Sequence, residues 1–164
     1  SGRKPVLHQK NSETNYTKIK KMKSINLKSV FLTGLIAGVV ILTSGLTMIP
    51  VVGDQMDEVL ASRGLPPLSE WAAAFICSVS IFIGIFLVFM YSLLKPYLGS
   101  KTKTALLASL LVFFIAYFLS NFPVLFYGFL PLKLTIIRAV WGLAEPLIAG
   151  QVASRLYREV KPVR

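Results

Sequence analysis

The sequence predicts an all-α protein: a bundle of four transmembrane helices, N-in and C-in, with a short amphipathic helix in the first outer loop. Three observations lead there. Hydrophobic residues make up 54% of the chain and charged residues 15%, against about 25% charged in an ordinary soluble domain. The charges are segregated, with eight of the eighteen Lys and Arg in residues 1–28 and almost none in the apolar stretches. Four of those stretches are long enough to cross a hydrocarbon core, which takes about 20 residues. A soluble helical bundle would need polar outer faces, and these stretches lack them.

Residues 1–28 are polar and basic without helical periodicity, which predicts a disordered cytoplasmic tail. Met22-Lys23-Ser24 reads like a natural start, making the first 21 residues an upstream extension. The cluster Lys18, Lys20, Lys21, Lys23 and Lys28 lies just before the first apolar run. Such a cluster can hold anionic inner-leaflet headgroups at about 1 kcal/mol per charge; its plainer role, which we favour, is to fix topology. Asn15-Tyr16-Thr17 matches a glycosylation sequon that a cytoplasmic tail would not use.

The membrane domain is expected over residues 29–160, followed by a tail of 161–164. Its first span covers about 30–52, ended by Pro50 and Gly53. The second covers 71–94, closed by Lys95-Pro96, the third 105–129, interrupted by Pro123, and the fourth 132–156. Orientation follows from the flanks. The segment before the first span has eight basic residues against Glu13, and the second loop has Lys95, Lys101 and Lys103 without an acid. The C-terminal end has Arg155, Arg158, Lys161 and Arg164 against Glu159, whereas the first loop has Asp54, Asp57, Glu58 and Glu70 against Arg63. The positive-inside rule therefore places both ends and the middle loop in the cytoplasm. Trp71 and Tyr127 fall near the outer interface, and Tyr91, Tyr97 and Tyr157 near the inner one.

In the outer loop, Asp54 is placed to cap a short helix over 55–62, with Gly64 as its stop and Pro66-Pro67 stiffening the return. Met56, Val59, Leu60 and Leu65 would face the membrane or the bundle. The inner Gly99-Ser100-Lys101-Thr102 lacks the spaced first glycine and the preceding strand of a phosphate-binding loop, so it reads as a turn.

The fourth span carries the costly residues, Arg138 and Glu145, with Pro146 and Gln151 beyond. An ionisable group at mid-membrane costs about 2.5–3.5 kcal/mol on insertion scales, so it normally faces protein or water and finds partners. Seven residues place the two on one helix face about 10 Å apart, so each needs partners of its own. Counting along the helices puts Arg138 level with Thr43, Ser44, Cys77, Ser78, Ser120 and Asn121, a predicted polar layer. Glu145 falls level with Gly38 and Gly84, a predicted small-residue waist. Pro146 deprives the Gly142 carbonyl of its helical donor, and Pro123 does the same for Leu119, so both are expected kinks. Gly34 with Gly38, Ser80 with Gly84, and Gly150 with Ser154 offer small surfaces for close helix packing. The stripe Phe113, Phe114, Tyr117, Phe118 and Phe122 reads as packing or lipid-facing.

Cys77 is single and reads as a small buried hydrophobe; His8, the only histidine, lies in the basic tail. Paired-histidine haem ligation and Cys/His zinc sites are thereby excluded. The spans hold no carboxylate pair and no nucleophile–base set, so neither an enzyme nor a cofactor is expected.

Several segments together resemble a group of small, uncharacterised bacterial four-span membrane proteins. They are Gly34-Leu-Ile-Ala-Gly38, Gly64-Leu-Pro-Pro, the Tyr91…Lys95-Pro…Gly99…Lys103-Thr-Ala segment, Trp141-Gly-Leu-Ala-Glu145 and Leu156-Tyr-Arg-Glu159. The resemblance covers about residues 25–160 and implies a four-helix fold in a bacterial inner membrane, with no activity attached. Small multidrug transporters also have four spans and one membrane carboxylate, but theirs lies in the first helix, and that function is not carried over. Two expectations remain. The favoured one is a non-enzymatic structural or accessory component, packing against itself, lipid or a larger complex and not nucleic acid. The other is a small proton- or ion-coupled transporter or channel using Glu145 and Arg138.

Overall fold

A computed structural model describes residues 25–159. The Lys18–Lys23 cluster, His8, Met22, the sequon and the last residues lie outside that range. Helix α1 (Leu27–Leu46) begins where the Asn26 side chain accepts from the Ser29 amide at 3.0 Å. It stops well short of Val52, correcting the first predicted span. A turn at Thr47–Met48 leads into α2 (Ile49–Ser62), with Pro50 in its first turn. There proline's missing N–H costs nothing and its fixed φ suits the helix, so Pro50 starts α2 and does not end α1. Asp54, expected as a cap, consequently lies inside α2, and the buried Val52 ties α2 to the bundle. Gly64 stops α2 at φ +66, where the Gly64 and Leu65 amides bond back to Ala61 and Leu60.

Ser69 caps α3 (Glu70–Leu98) by accepting from the Ala72 amide at 3.2 Å. The closure expected at Lys95-Pro96 is displaced to Gly99, at φ +68. Pro96 lies in the last turn, where its missing N–H leaves the Ser92 carbonyl without its helical donor while the helix runs on to Leu98. Lys95 there donates to the Gly99 carbonyl and pairs with Glu159 at 3.8 Å. Next comes one rod, Lys101–Phe126, made of α4 (Lys101–Val112), a six-residue π-helical stretch Phe113–Phe118, and α5 (Leu119–Phe126). The rod ends at Phe126, not Phe129, and Gly128 turns the chain at φ +64. Finally α6 (Leu132–Leu156) has the predicted bounds and runs helical through Pro146. Pro123 and Pro146 both sit inside helices that continue past them.

Among the described residues the protein is all-helical, with five helices if the rod counts once. Leu27–Leu46, Glu70–Leu98 and Lys101–Phe126 are long and apolar enough to cross a membrane. Although α6 has 25 residues, it is less apolar, carrying Lys133, Arg138, Glu145 and Arg155. The long helices form a ring in which α1 packs on α3, α3 on α4, α4 on α6, and α6 closes on α1. Asn26 Nδ2 donates to the Arg158 carbonyl at 3.2 Å and the Arg158 amide to Ser29 Oγ at 2.9 Å, so both ends of the described chain meet.

The ring's interior combines small residues, Thr33, Gly34, Ala37 and Gly38 on α1, Ala105, Ala108 and Ser109 on α4, Ala149, Gly150 and Ala153 on α6, with the larger Ile41, Leu87, Val88 and Tyr91. Many other large apolar side chains point outward, such as Leu32, Ile36 and Val39 of α1 and Phe75 and Phe82 of α3, the last 71% exposed. The small residues let backbones approach, which is how helices associate when the solvent is itself apolar. This is the organisation of a membrane protein.

Candidate functional site

The polar residues of α6 separate into two places. At the first, Glu145 is 7% exposed and its Oε2 accepts the Tyr117 hydroxyl at 2.9 Å. The π-helical stretch presents that tyrosine. A π turn inserts an extra residue per hydrogen-bonded ring, and here the Leu119 amide reaches back to the Phe114 carbonyl. The Tyr117 ring rests on Gly142, where any Cβ would collide with it. The other carboxylate oxygen, Oε1, faces Gly45 of α1, 3.4 Å from where a Cβ would stand. One turn earlier on α6, the Trp141 indole donates to the Ser44 carbonyl at 3.0 Å. That carbonyl belongs to the last turn of α1, where it also accepts from the Thr47 amide and hydroxyl. At the next residue, Ser109 Oγ donates to the Pro146 carbonyl at 2.6 Å, in room left by Gly150. α6 is thus tied to α1 at Trp141 and to the Lys101–Phe126 rod at Glu145 and Pro146.

The second place is the end of the bundle away from Asn26 and Arg158. Arg138 borders a cavity of about 230 Å³ together with Arg63, Met56, Val59, Leu60, Leu65, Val124, Phe129 and Leu130. It is half-buried, and the described residues give it no hydrogen bond or ion pair. Arg63 Nη2 donates to the Gly128 carbonyl, and its guanidinium lies 5.7 Å from the centre of the Phe129 ring. The glycine turns that end α2 and α5 are thereby pinned to each other.

The expected polar layer around Arg138 does not assemble. Thr43 bonds the Val39 carbonyl, Ser78 that of Ala74, and Ser120 those of Ala116 and Tyr117. A hydroxyl in an apolar helix finds its nearest acceptor one turn back on its own backbone, so level residues need not meet. Asn121 likewise donates to the Tyr117 carbonyl at 2.7 Å, leaving its Oδ1 buried without a partner. Ser44 takes part through its carbonyl, and Cys77 is exposed on the outer surface, not buried. The waist is also displaced: Glu145 sits beside Gly45, about two turns from Gly38. Gly34, Gly38 and Gly84 instead form one α1–α3 crossing, whereas Gly142 and Gly150 face Tyr117 and Ser109. The Ser109 bond falls on the carbonyl of Pro146 itself, not on that of Gly142.

Sequence reasoning missed Tyr117, Ser109 and Arg63 as site residues. A signal existed for Tyr117, which lies almost as far before the turn at 128–131 as Glu145 lies after it. The described residues contain no group of His, Cys, Asp or Glu able to hold a metal. No protein family, curated protein or solved structure matches this chain.

Proposed function

We propose that the chain is a four-span protein of the inner (plasma) membrane with both termini cytoplasmic, and that it acts as a non-enzymatic structural or accessory component. The fourth crossing in this reading is α6, about 37 Å long at 1.5 Å per residue. Glu145 is carried inside the ring, Arg138 is half-buried, and Lys133 and Arg155 lie near the two ends, so in this reading the outward face of α6, with Ile136, Val140 and Ile148, meets the lipid beside the three apolar helices. Support for the orientation comes from Lys28, Lys95, Lys101, Lys103, Arg155 and Arg158 at or near the end where the first and last described residues meet, and Asp54, Asp57, Glu58 and Glu70 at the other. With Cys77 replaced by alanine, a cysteine at Ser100 is expected to react with impermeant maleimide only after the cytoplasmic side is opened. A cysteine at Ser62 is expected to react in intact cells. The reverse pattern would overturn the orientation.

One observation carries the structural reading: Glu145 is closed over by Tyr117 and lies against the α1 backbone, between interhelical bonds at Trp141 and Pro146. A carboxyl used to fasten helices has no need of a route to water. Proteoliposomes carrying the protein are therefore expected to pass protons and monovalent cations no faster than empty ones. Flux that vanishes in Glu145→Gln would instead establish the second reading, a small proton- or ion-coupled transporter using Glu145 and Arg138. That reading is favoured by the π-helical stretch beside the carboxyl, since such segments recur at functional sites.

A further inference from the structure

Two helices at the end away from Asn26 and Arg158 are packed less deeply than the rest. α5 has no buried residue, nor has the π-helical stretch before it, and α2 has Val52 alone. By contrast, α4 on the near side of that stretch buries Thr104, Ala105, Ala108, Ser109 and Val112. The two shallow helices are fastened to each other. Arg63, which follows α2, donates to the Gly128 carbonyl just beyond α5, and its guanidinium lies 5.7 Å from the centre of the Phe129 ring. Along α5 the rings of Phe118, Phe122 and Phe126 follow one another, with centroids 5.1 and 6.0 Å apart, which stiffens it as a unit.

Each of them joins the bundle through a weak point in the backbone. Between α1 and α2 the chain turns at Thr47–Met48, and Pro50 has no N–H to give the Leu46 carbonyl four residues back. Before α5 the Leu119 amide reaches five residues back to Phe114, and Pro123 leaves the Leu119 carbonyl without its helical donor. The Ala116 and Tyr117 carbonyls there are met by the side chains of Ser120 and Asn121. Helices bend at such insertions and at prolines.

One face of α6 touches both weak points. The Trp141 indole holds the Ser44 carbonyl just before the Thr47–Met48 turn, and Glu145 Oε1 faces Gly45. The other oxygen of the same carboxyl accepts the Tyr117 hydroxyl inside the π-helical stretch. We propose that α2 and α5, joined through Arg63 and Gly128, form one cap that moves on these two hinges, with the Tyr117–Glu145 bond as its latch. Arg138 borders the space under α2, so the position of the cap sets the surroundings of that residue. The device goes beyond the structural reading above, and it holds whichever way the chain faces in the membrane.

The test places spin labels on the full chain in lipid nanodiscs, with Cys77 replaced by alanine. Double electron–electron resonance then reads the distance from Lys103→Cys on α4 to Ser62→Cys at the end of α2, or to Tyr127→Cys beyond α5. All three positions are exposed. With the latch intact, each pair is expected to give one main distance. Tyr117→Phe is expected to add a second, about 5 Å or more from the first, roughly one helical turn. The open-to-closed ratio is expected to rise at least about tenfold, as for a buried hydrogen bond to a charged group, and in both pairs together. Adding Arg63→Gln is expected to keep the change at Tyr127 and abolish it at Ser62. Ser109→Ala removes the neighbouring bond to the Pro146 carbonyl from the α4 side and is expected to leave a single distance. Should Tyr117→Phe not yield monodisperse protein, Glu145→Leu breaks the same bond from α6. A single unchanged distance in the latch variant overturns the proposal. So does a second distance in Ser109→Ala, or one confined to a single pair while Arg63 is in place.

Discussion

Gly84→Leu is expected to destabilise the protein by about 3 kcal/mol, at the upper end of overpacking costs, and to part α1 from α3. A Cβ on Gly84 would overlap the backbone nitrogen and Cα of Gly38 and approach the Gly34 carbonyl oxygen to 2.7 Å. From the other side, a Cβ on Gly34 or Gly38 would stand 2.6 Å from the Cα of Ile85 or Ile81. The obstacles are backbone atoms, which cannot rotate away as a side chain can, so the helices themselves must separate. Separation would open the buried cluster to which Ala37 of α1 and Leu87 and Val88 of α3 belong. Gly53→Ala is the control. Gly53 lies within α2 and a Cβ there meets only the Ile49 Cγ2 at an ordinary 3.6 Å. Helix propensity favours that change by up to about 1 kcal/mol. Unfolding in a denaturing-detergent titration measures both, and a Gly84→Leu protein as stable as wild type would refute the crossing. The small-residue motif of α1 is occupied within the chain, which leaves any self-association to other surfaces.

The second large effect is a coupling. Tyr117→Phe and Glu145→Leu are each expected to cost about 1–3 kcal/mol, because each strands a buried polar partner. The double variant is expected to recover much of that loss, since removing both polar partners leaves an apolar contact of similar shape. Glu145→Gln keeps an acceptor oxygen for the Tyr117 hydroxyl and is expected to lie within about 1 kcal/mol of wild type. A double-mutant cycle in the same titration yields the coupling energy directly. Strict additivity of the two single changes would mean that the hydroxyl and the carboxyl do not hold each other.

These results bear on what was legible in the chain. Bounds of α6 were readable because the apolar run and its flanking turn residues agree on them, and the Gly64 stop was readable because only glycine takes that φ cheaply. Pro50 and Pro96 were misjudged as helix ends. Proline's effect depends on where in a turn it falls and on what surrounds the freed carbonyl. The residues that would meet Arg138 and Glu145 were estimated from depth alone. Depth ignores the rotation of each helix, so it could not say whether Ser78 or Tyr117 faces inward.

The sequence alone determined that the chain is helical, suited to lipid and polarised in charge, because these properties are sums over many residues and survive local errors. It also marked the last long helix as the exceptional one, since Arg138 and Glu145 are costly wherever that helix lies in the membrane. Only the tertiary structure decided that those two residues have different surroundings. Seven residues apart on one helix, they meet different neighbours because a π-helical stretch turns Tyr117 toward Glu145, while α2 folds over the end near Arg138. Such pairings depend on helix rotation, and a single shifted turn changes every contact on the face.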